Sequence, residues 1–154
     1  MKKLSLIPLL SLIFMLNVAS MCSDDDDSNT SADPTPVINT VTSGTWRITF
    51  YEDSGVDETY HFTGYNFTFG ASNVLTASNG TNTYTGTWSV TNSDSNDDSP
   101  SNDLDFNILF ATPVVFADEL SDDWDILSRT DTKIELVDVS GGNGGTDYLT
   151  LEKN

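Results

Sequence analysis

Trp46-Arg47-Ile48-Thr49-Phe50-Tyr51 decides the fold, because its apolar side chains recur at every second position. Trp46, Ile48 and Phe50 fall on one face of an extended chain and Arg47, Thr49 and Tyr51 on the other, the period of a strand with one face in a core. The same period returns in Tyr65, Phe67 and Phe69, in Val74-Leu75-Thr76-Ala77, in Tyr84, Gly86, Trp88 and Val90, and in Leu104, Phe106, Ile108 and Phe110. Shorter strands are expected at Trp124 to Leu127, Ile134 to Val137 and Tyr148 to Leu151, making eight.

Short connections set the order of these strands. Asn79-Gly80 offers two residues that tolerate positive φ, and Gly70 to Asn73 and Thr130-Asp131-Thr132 are equally brief, so neighbours in sequence become antiparallel neighbours in space. The expectation is an all-β fold, an antiparallel eight-stranded up-and-down barrel or a strongly curved meander. A β-sandwich is the rival, and it would need Greek-key crossings over the longer connections at 52–62, 91–103, 111–123 and 138–147. Within the third of these, Val115 to Leu120 can form one helical turn with Phe116 and Leu120 on one face.

Trp46, Phe67, Trp88, Phe106 and Trp124 are the expected core anchors, and Gly44 and Gly86 allow a backbone or an indole to come close. An eight-stranded interior is just wide enough to be filled by side chains or to hold one small ligand. With Phe50, Tyr65, Phe69, Tyr84 and Phe110 also counted inward, little lumen remains, so any site should be shallow and at the rim beside Glu52 to Phe62. No acidic residue falls on these rows, which leaves the carboxylates to the rim and the outer face, where an anionic ligand would be repelled.

Upstream of the strands the chain has an export signal. Lys2 and Lys3 precede an apolar run from Leu4 to Leu16, and Ala19-Ser20 are small residues near a cut, so residues 1–21 form a secretory signal peptide. Ala19-Ser20-Met21-Cys22 resembles a bacterial lipoprotein signal, in which the cysteine after the cut is acylated and becomes the new N-terminus; Cys22 is the expected lipidation site. A rival cut after Ser20, with Val18 and Ser20 as the small pair, would leave a soluble product. Asp24, Asp25, Asp26 and Asp27 resemble the acidic run that addresses flavobacterial lipoproteins to the outer face of the outer membrane, and are otherwise a self-repelling spacer. Residues 22–43 are read as the acylated Cys, the acidic run and a disordered tether, because Ser23 to Thr42 carries few apolar residues; residues 44–154 are the β domain.

Four segments in order look like the lipocalin-like surface lipoproteins of Bacteroidetes: Gly44-Thr45-Trp46, Gly86-Thr87-Trp88-Ser89-Val90, Trp124-Asp125-Ile126 with Lys133-Ile134-Glu135-Leu136, and the terminal Tyr148-Leu149-Thr150-Leu151-Glu152-Lys153. That resemblance implies a barrel or half-barrel with a ligand cup at one end, and it supplies no catalytic residues.

Removing 21 of 154 residues leaves 133, a single-domain length, and carries the net charge from −18 to −20, since only Arg47, Arg129, Lys133 and Lys153 stay basic. Such a field repels phosphate backbones, so no nucleic-acid partner is expected. With Cys22 acylated no thiol remains, and His61 is the sole histidine, so neither a nucleophilic triad nor any other catalytic group is expected and the protein is read as no enzyme. Asp53, Asp57, Glu58 and His61 share one connection and could gather around a divalent cation, but the simpler reading is a solvated acidic loop. Asn92 to Asp97 starts like a calcium loop and lacks its Gly and Glu, and Gly141 to Asp147 is a single copy of a repeat that works in tandem. No metal and no cofactor are expected.

Two functions fit this reading. The first is a displayed, lipid-anchored module that binds a small apolar or amphiphilic molecule near the barrel mouth. The second is an accessory protein with a filled barrel that docks another protein of the outer envelope. In both the partner of the anchor is the outer membrane, with the domain facing the cell exterior.

Overall fold

The computed structural model describes residues 32–92, 103–140 and 144–154. Nine strands follow a short helix: α1 (Thr35–Val41), β1 (Trp46–Asp53), β2 (Val56–Asp57), β3 (Asn66–Phe69), β4 (Val74–Ser78), β5 (Thr83–Asn92), β6 (Leu104–Leu109), then α2 (Val114–Glu119), β7 (Asp122–Arg129), β8 (Lys133–Val139) and β9 (Thr146–Lys153). From β3 to β9 each strand pairs antiparallel with its successor, and β9 returns to β1 from Trp46↔Lys153 to Glu52↔Tyr148. The result is a closed, antiparallel eight-stranded barrel, with β2 a two-residue addition hairpinned onto β1. Sequential order leaves no Greek-key crossing, which excludes the sandwich.

All eight expected strands are present, but the face of β1 is not the expected one after Thr49. The register with β9 slips between Ile48 and Phe50, so one extra residue is accommodated as a bulge. Trp46 and Ile48 point inward before it, and Tyr51, only 2% exposed, takes the inward place assigned to Phe50, which is 36% exposed on the outside. A second slip, between Ile126 and Ser128, leaves Leu127 outside and sets Arg129 opposite the inward Ile134.

The seam between β1 and β3 is the thin place in the wall, a single pair at Trp46↔Phe67. The connection after β2 fills it. A 3₁₀ turn at Thr59–Phe62 lies along β1, with Glu58 N–H donating to the Tyr51 carbonyl at 3.0 Å and Tyr51 N–H donating to Thr59 Oγ1 at 2.8 Å. Phe62 is buried there, edge-on to Tyr51 with centroids 5.3 Å apart.

The stretch expected to be a tether up to residue 43 is ordered over its last turns, a correction to the reading of residues 22–43. Pro34 and Pro36 sit at the start of α1, where a missing N–H costs nothing, and Val37, Ile38 and Val41 make an apolar face on the base of the barrel. Burying the two valines is worth about 1.5–3 kcal/mol each, which together with the backbone hydrogen bonds of the turn helps to order a seven-residue helix that would not form alone.

Trp46, Phe67, Trp88, Phe106 and Trp124 are all buried. Each indole also solves a polar problem. Trp46 Nε1 donates to the Val41 carbonyl at 2.8 Å, Trp88 Nε1 to Gly70 at 3.0 Å and Trp124 Nε1 to Leu120 at 3.1 Å, so the three rings staple α1, the β3–β4 turn and the end of α2 to the barrel. Among the described residues no buried side-chain polar atom lacks a partner.

Candidate functional site

The end of the barrel opposite α1 gathers a row of carboxylates. The inward rows are apolar until their last positions. Two residues past Tyr51 stands Asp53, two past the Leu136↔Leu149 pair stand Asp138 and Asp147, and opposite Ile108 stands Asp122. Four consecutive strands, β7, β8, β9 and β1, thus finish at the rim in carboxylates. Desolvation, then its hydrogen bond with Asp123 and the charge of Asp138, push Asp122 up to about 6. Desolvation and the charges of Asp53 and Asp138 raise Asp147, although it accepts a hydrogen bond from Ser54 N–H at 2.9 Å. Burial first, and then Asp147, Glu119, Asp53 and Glu58, push the Tyr51 phenol well above its usual range.

Over this rim lie the Thr59–Phe62 turn and α2. Phe116, from α2, occupies the interior beneath them. Its ring centroid is 5.5 Å from Phe62, 5.1 Å from Tyr65, 6.0 Å from Phe67, 5.5 Å from Tyr84 and 5.3 Å from Phe110. Phe69, Trp88 and Phe106 fill the layer nearer the base, with centroids 5.5–6.3 Å apart. The expected helical turn is therefore formed, and its Phe116 and Leu120 are both buried.

Glu119, the last residue of α2, meets the turn. His61 Nδ1 is 2.8 Å from Glu119 Oε1 and 3.9 Å from Glu58 Oε2, and the Tyr60 ring lies 4.1 Å from the imidazole, centroid to centroid. Burial, opposed by His61 and reinforced by Glu58 and Asp53, holds the Glu119 carboxyl above its usual range. Of the residues that sequence placed together in this connection, Glu58 and His61 converge. Asp57 is engaged elsewhere, accepting from Thr59 N–H at 3.0 Å, and Asp53 stands on the rim itself. Glu119 was missed because 58 positions separate it from His61 and only the fold of α2 over the mouth joins them.

Asp105 is buried, but on the outward row of β6 between Thr91 and Asp125, so among the described residues the interior carries no acid below the rim. At the base, Asn39, Thr40, Ser43, Asp131 and Lys153 line an open depression of about 350 Å³. Arg129 Nη1 donates to Thr40 Oγ1 at 2.7 Å beside it, and Lys153 Nζ lies 5.0 Å over the Trp46 ring. This hollow lies at the end away from Glu52 to Phe62, where a shallow site was expected. Cys22 and Asp24 to Asp27 lie outside the described residues.

No family model matches the sequence, and no curated protein matches it. Among solved structures the chain is similar to a DUF4847 family protein from Bacteroides vulgatus ATCC 8482, at 18% identity and a TM-score of 0.47, over 77% of this chain and 97% of that one.

Proposed function

We propose that the protein is a non-enzymatic, lipid-anchored accessory protein of the outer membrane, facing the cell exterior, and that its barrel is a filled scaffold whose surface engages another envelope component. The observation that carries this reading is Phe116, seated among five inward rings where a carried ligand would have to lie. A site for a drug-sized molecule usually needs about 300–1,000 Å³ of concave, largely apolar space. The hollow at the base reaches that size, but it is open and the residues that line it are all polar or charged.

A second reading keeps a small ligand at the mouth. Tyr60, 65% exposed, has its ring 4.1 Å from that of His61, which in turn meets Glu58 and Glu119, a combination suited to a cationic amphiphile. Native mass spectrometry of the protein purified from its own envelope separates the two. A reproducible protein partner with an empty barrel supports the accessory role, whereas a stoichiometric small molecule rejects it in favour of the carrier. The anchor is tested by the mass of the mature N-terminus: acyl chains on Cys22, lost in Cys22→Ala, support it, and a free Met21 terminus rejects it. Replacing Asp24 to Asp27 with Asn should protect the domain from protease added to intact cells if the run directs display.

A further inference from the structure

We propose that Glu58, His61 and Glu119 form a binding site for one borderline divalent transition cation of the Zn²⁺ class, and that the bound ion fastens α2 to the Thr59–Phe62 turn across the barrel mouth. This inference is independent of the function proposed above. The ligand atoms converge on a point: one donor atom from each residue lies within 4.8 Å of the other two. Around a tetrahedral ion with bonds of about 2.0–2.2 Å such atoms stand about 3.4 Å apart, so small rotations of the two carboxylates close the site. A single imidazole nitrogen between two carboxylate oxygens is a set for Zn²⁺ and its neighbours, since Ca²⁺ and Mg²⁺ take oxygen alone.

The scaffold holds the donors in place before any ion arrives. Glu58 and His61 are three residues apart on a turn closed by His61 N–H donating to the Glu58 carbonyl at 3.0 Å and tied to β1 through Glu58 N–H. Glu119 is fixed from the other side, because Phe116 and Leu120 anchor α2 in the core. All three side chains are partly buried, and two carboxylates face one imidazole, an excess of negative charge that desolvation makes costly and a cation relieves. The ion would replace the proton shared between His61 and Glu119, and three protein ligands leave the fourth position to water.

Because His61 is the sole histidine, its imidazole nitrogens report on this site without overlap. Metal-free full-length protein is titrated with ZnCl₂ at pH 7, with nitrogen-15 NMR of the imidazole and calorimetry as readouts. The expected result is a shift of the Nδ1 resonance that saturates at one equivalent, no shift with CaCl₂, and an affinity at least tenfold lower in His61→Ala and in Glu119→Gln. Asp131→Asn, which removes a carboxylate at the opposite end, should leave that affinity unchanged. An Nδ1 resonance that stays in place at one equivalent overturns the proposal, even if neither site variant folds, as does full affinity retained in His61→Ala.

Discussion

Gly86 and Phe110 are in contact because Gly86 has no side chain. A Cβ built there would stand 2.8 Å from Phe110 Cδ1 and 2.3 Å from the Leu109 carbonyl oxygen. The oxygen belongs to the strand paired with β5, so it cannot swing aside as a flexible side chain would. Gly86→Ala should therefore cost in the upper part of the overpacking range of about 1–3 kcal/mol. Thr85→Ala, on the exposed face one residue away, should stay within about 0.5 kcal/mol. Urea denaturation of the pair checks the contact, and equal midpoints would refute it.

Phe116 is the second test. Truncation to alanine removes the ring shared by Phe62, Tyr65, Phe67, Tyr84 and Phe110, and should cost about 3–5 kcal/mol. If the barrel is a scaffold and not a carrier, the cavity so made should also admit a small apolar probe such as benzene, which the native protein excludes. Binding of benzene to the native protein would show an open lumen.

The barrel was legible because a period of two marks each strand and short turns leave sequential neighbours no choice but to pair. Asn79 shows how robust that inference is to detail: the loop is longer than the two-residue turn expected, and Asn79 shapes it by accepting N–H bonds from Thr81 and Asn82 through its own side chain. The bulge at Thr49 was not legible, since nothing in Trp46 to Tyr51 distinguishes an unbroken alternation from one that slips; the register with β9 decides it. Nor was α1, whose three apolar residues in a Pro- and Thr-rich stretch are too few to signal a helix and acquire meaning only against Trp46. The meeting of His61 with Glu119 depends on two segments far apart in sequence folding over one mouth.

The ordered base predicts a truncation effect. A protein beginning at Gly44 keeps every strand but loses Val37 and Val41 from the core, and it leaves the Trp46 indole N–H without its carbonyl. The two valines are worth about 1.5–3 kcal/mol each, while the indole N–H exchanges its carbonyl for water at the uncovered base. The truncated protein should be less stable than one beginning at Ala32 in thermal or chemical unfolding, by about 1–3 kcal/mol, since the entropy of ordering the helix offsets part of the apolar gain. Equal stability would return residues 35–41 to the tether.

The acidic rim predicts that the protein becomes more stable on mild acidification. Asp122 and Asp147 have folded-state pKa values raised above those of the unfolded chain, Asp122 to about 6, with Asp123 and Asp138 facing the first and Asp53 and Asp138 the second. Each binds its proton more tightly when folded. The stabilisation is therefore fully present below the unfolded value near 3.8 and is lost as pH rises through the folded one. Between pH 7 and pH 5 the unfolding free energy should rise. The Asp122 carboxyl is only partly desolvated and still reaches solvent, so its share is screened to about 1 kcal/mol and shrinks further in high salt. Asp122→Asn should be more stable than the native protein at pH 7 and should flatten the profile between pH 5 and pH 7. A native profile that falls steadily on acidification from pH 7 would mean that these carboxylates are stabilised as anions, and the rim would not be the repulsive cluster described.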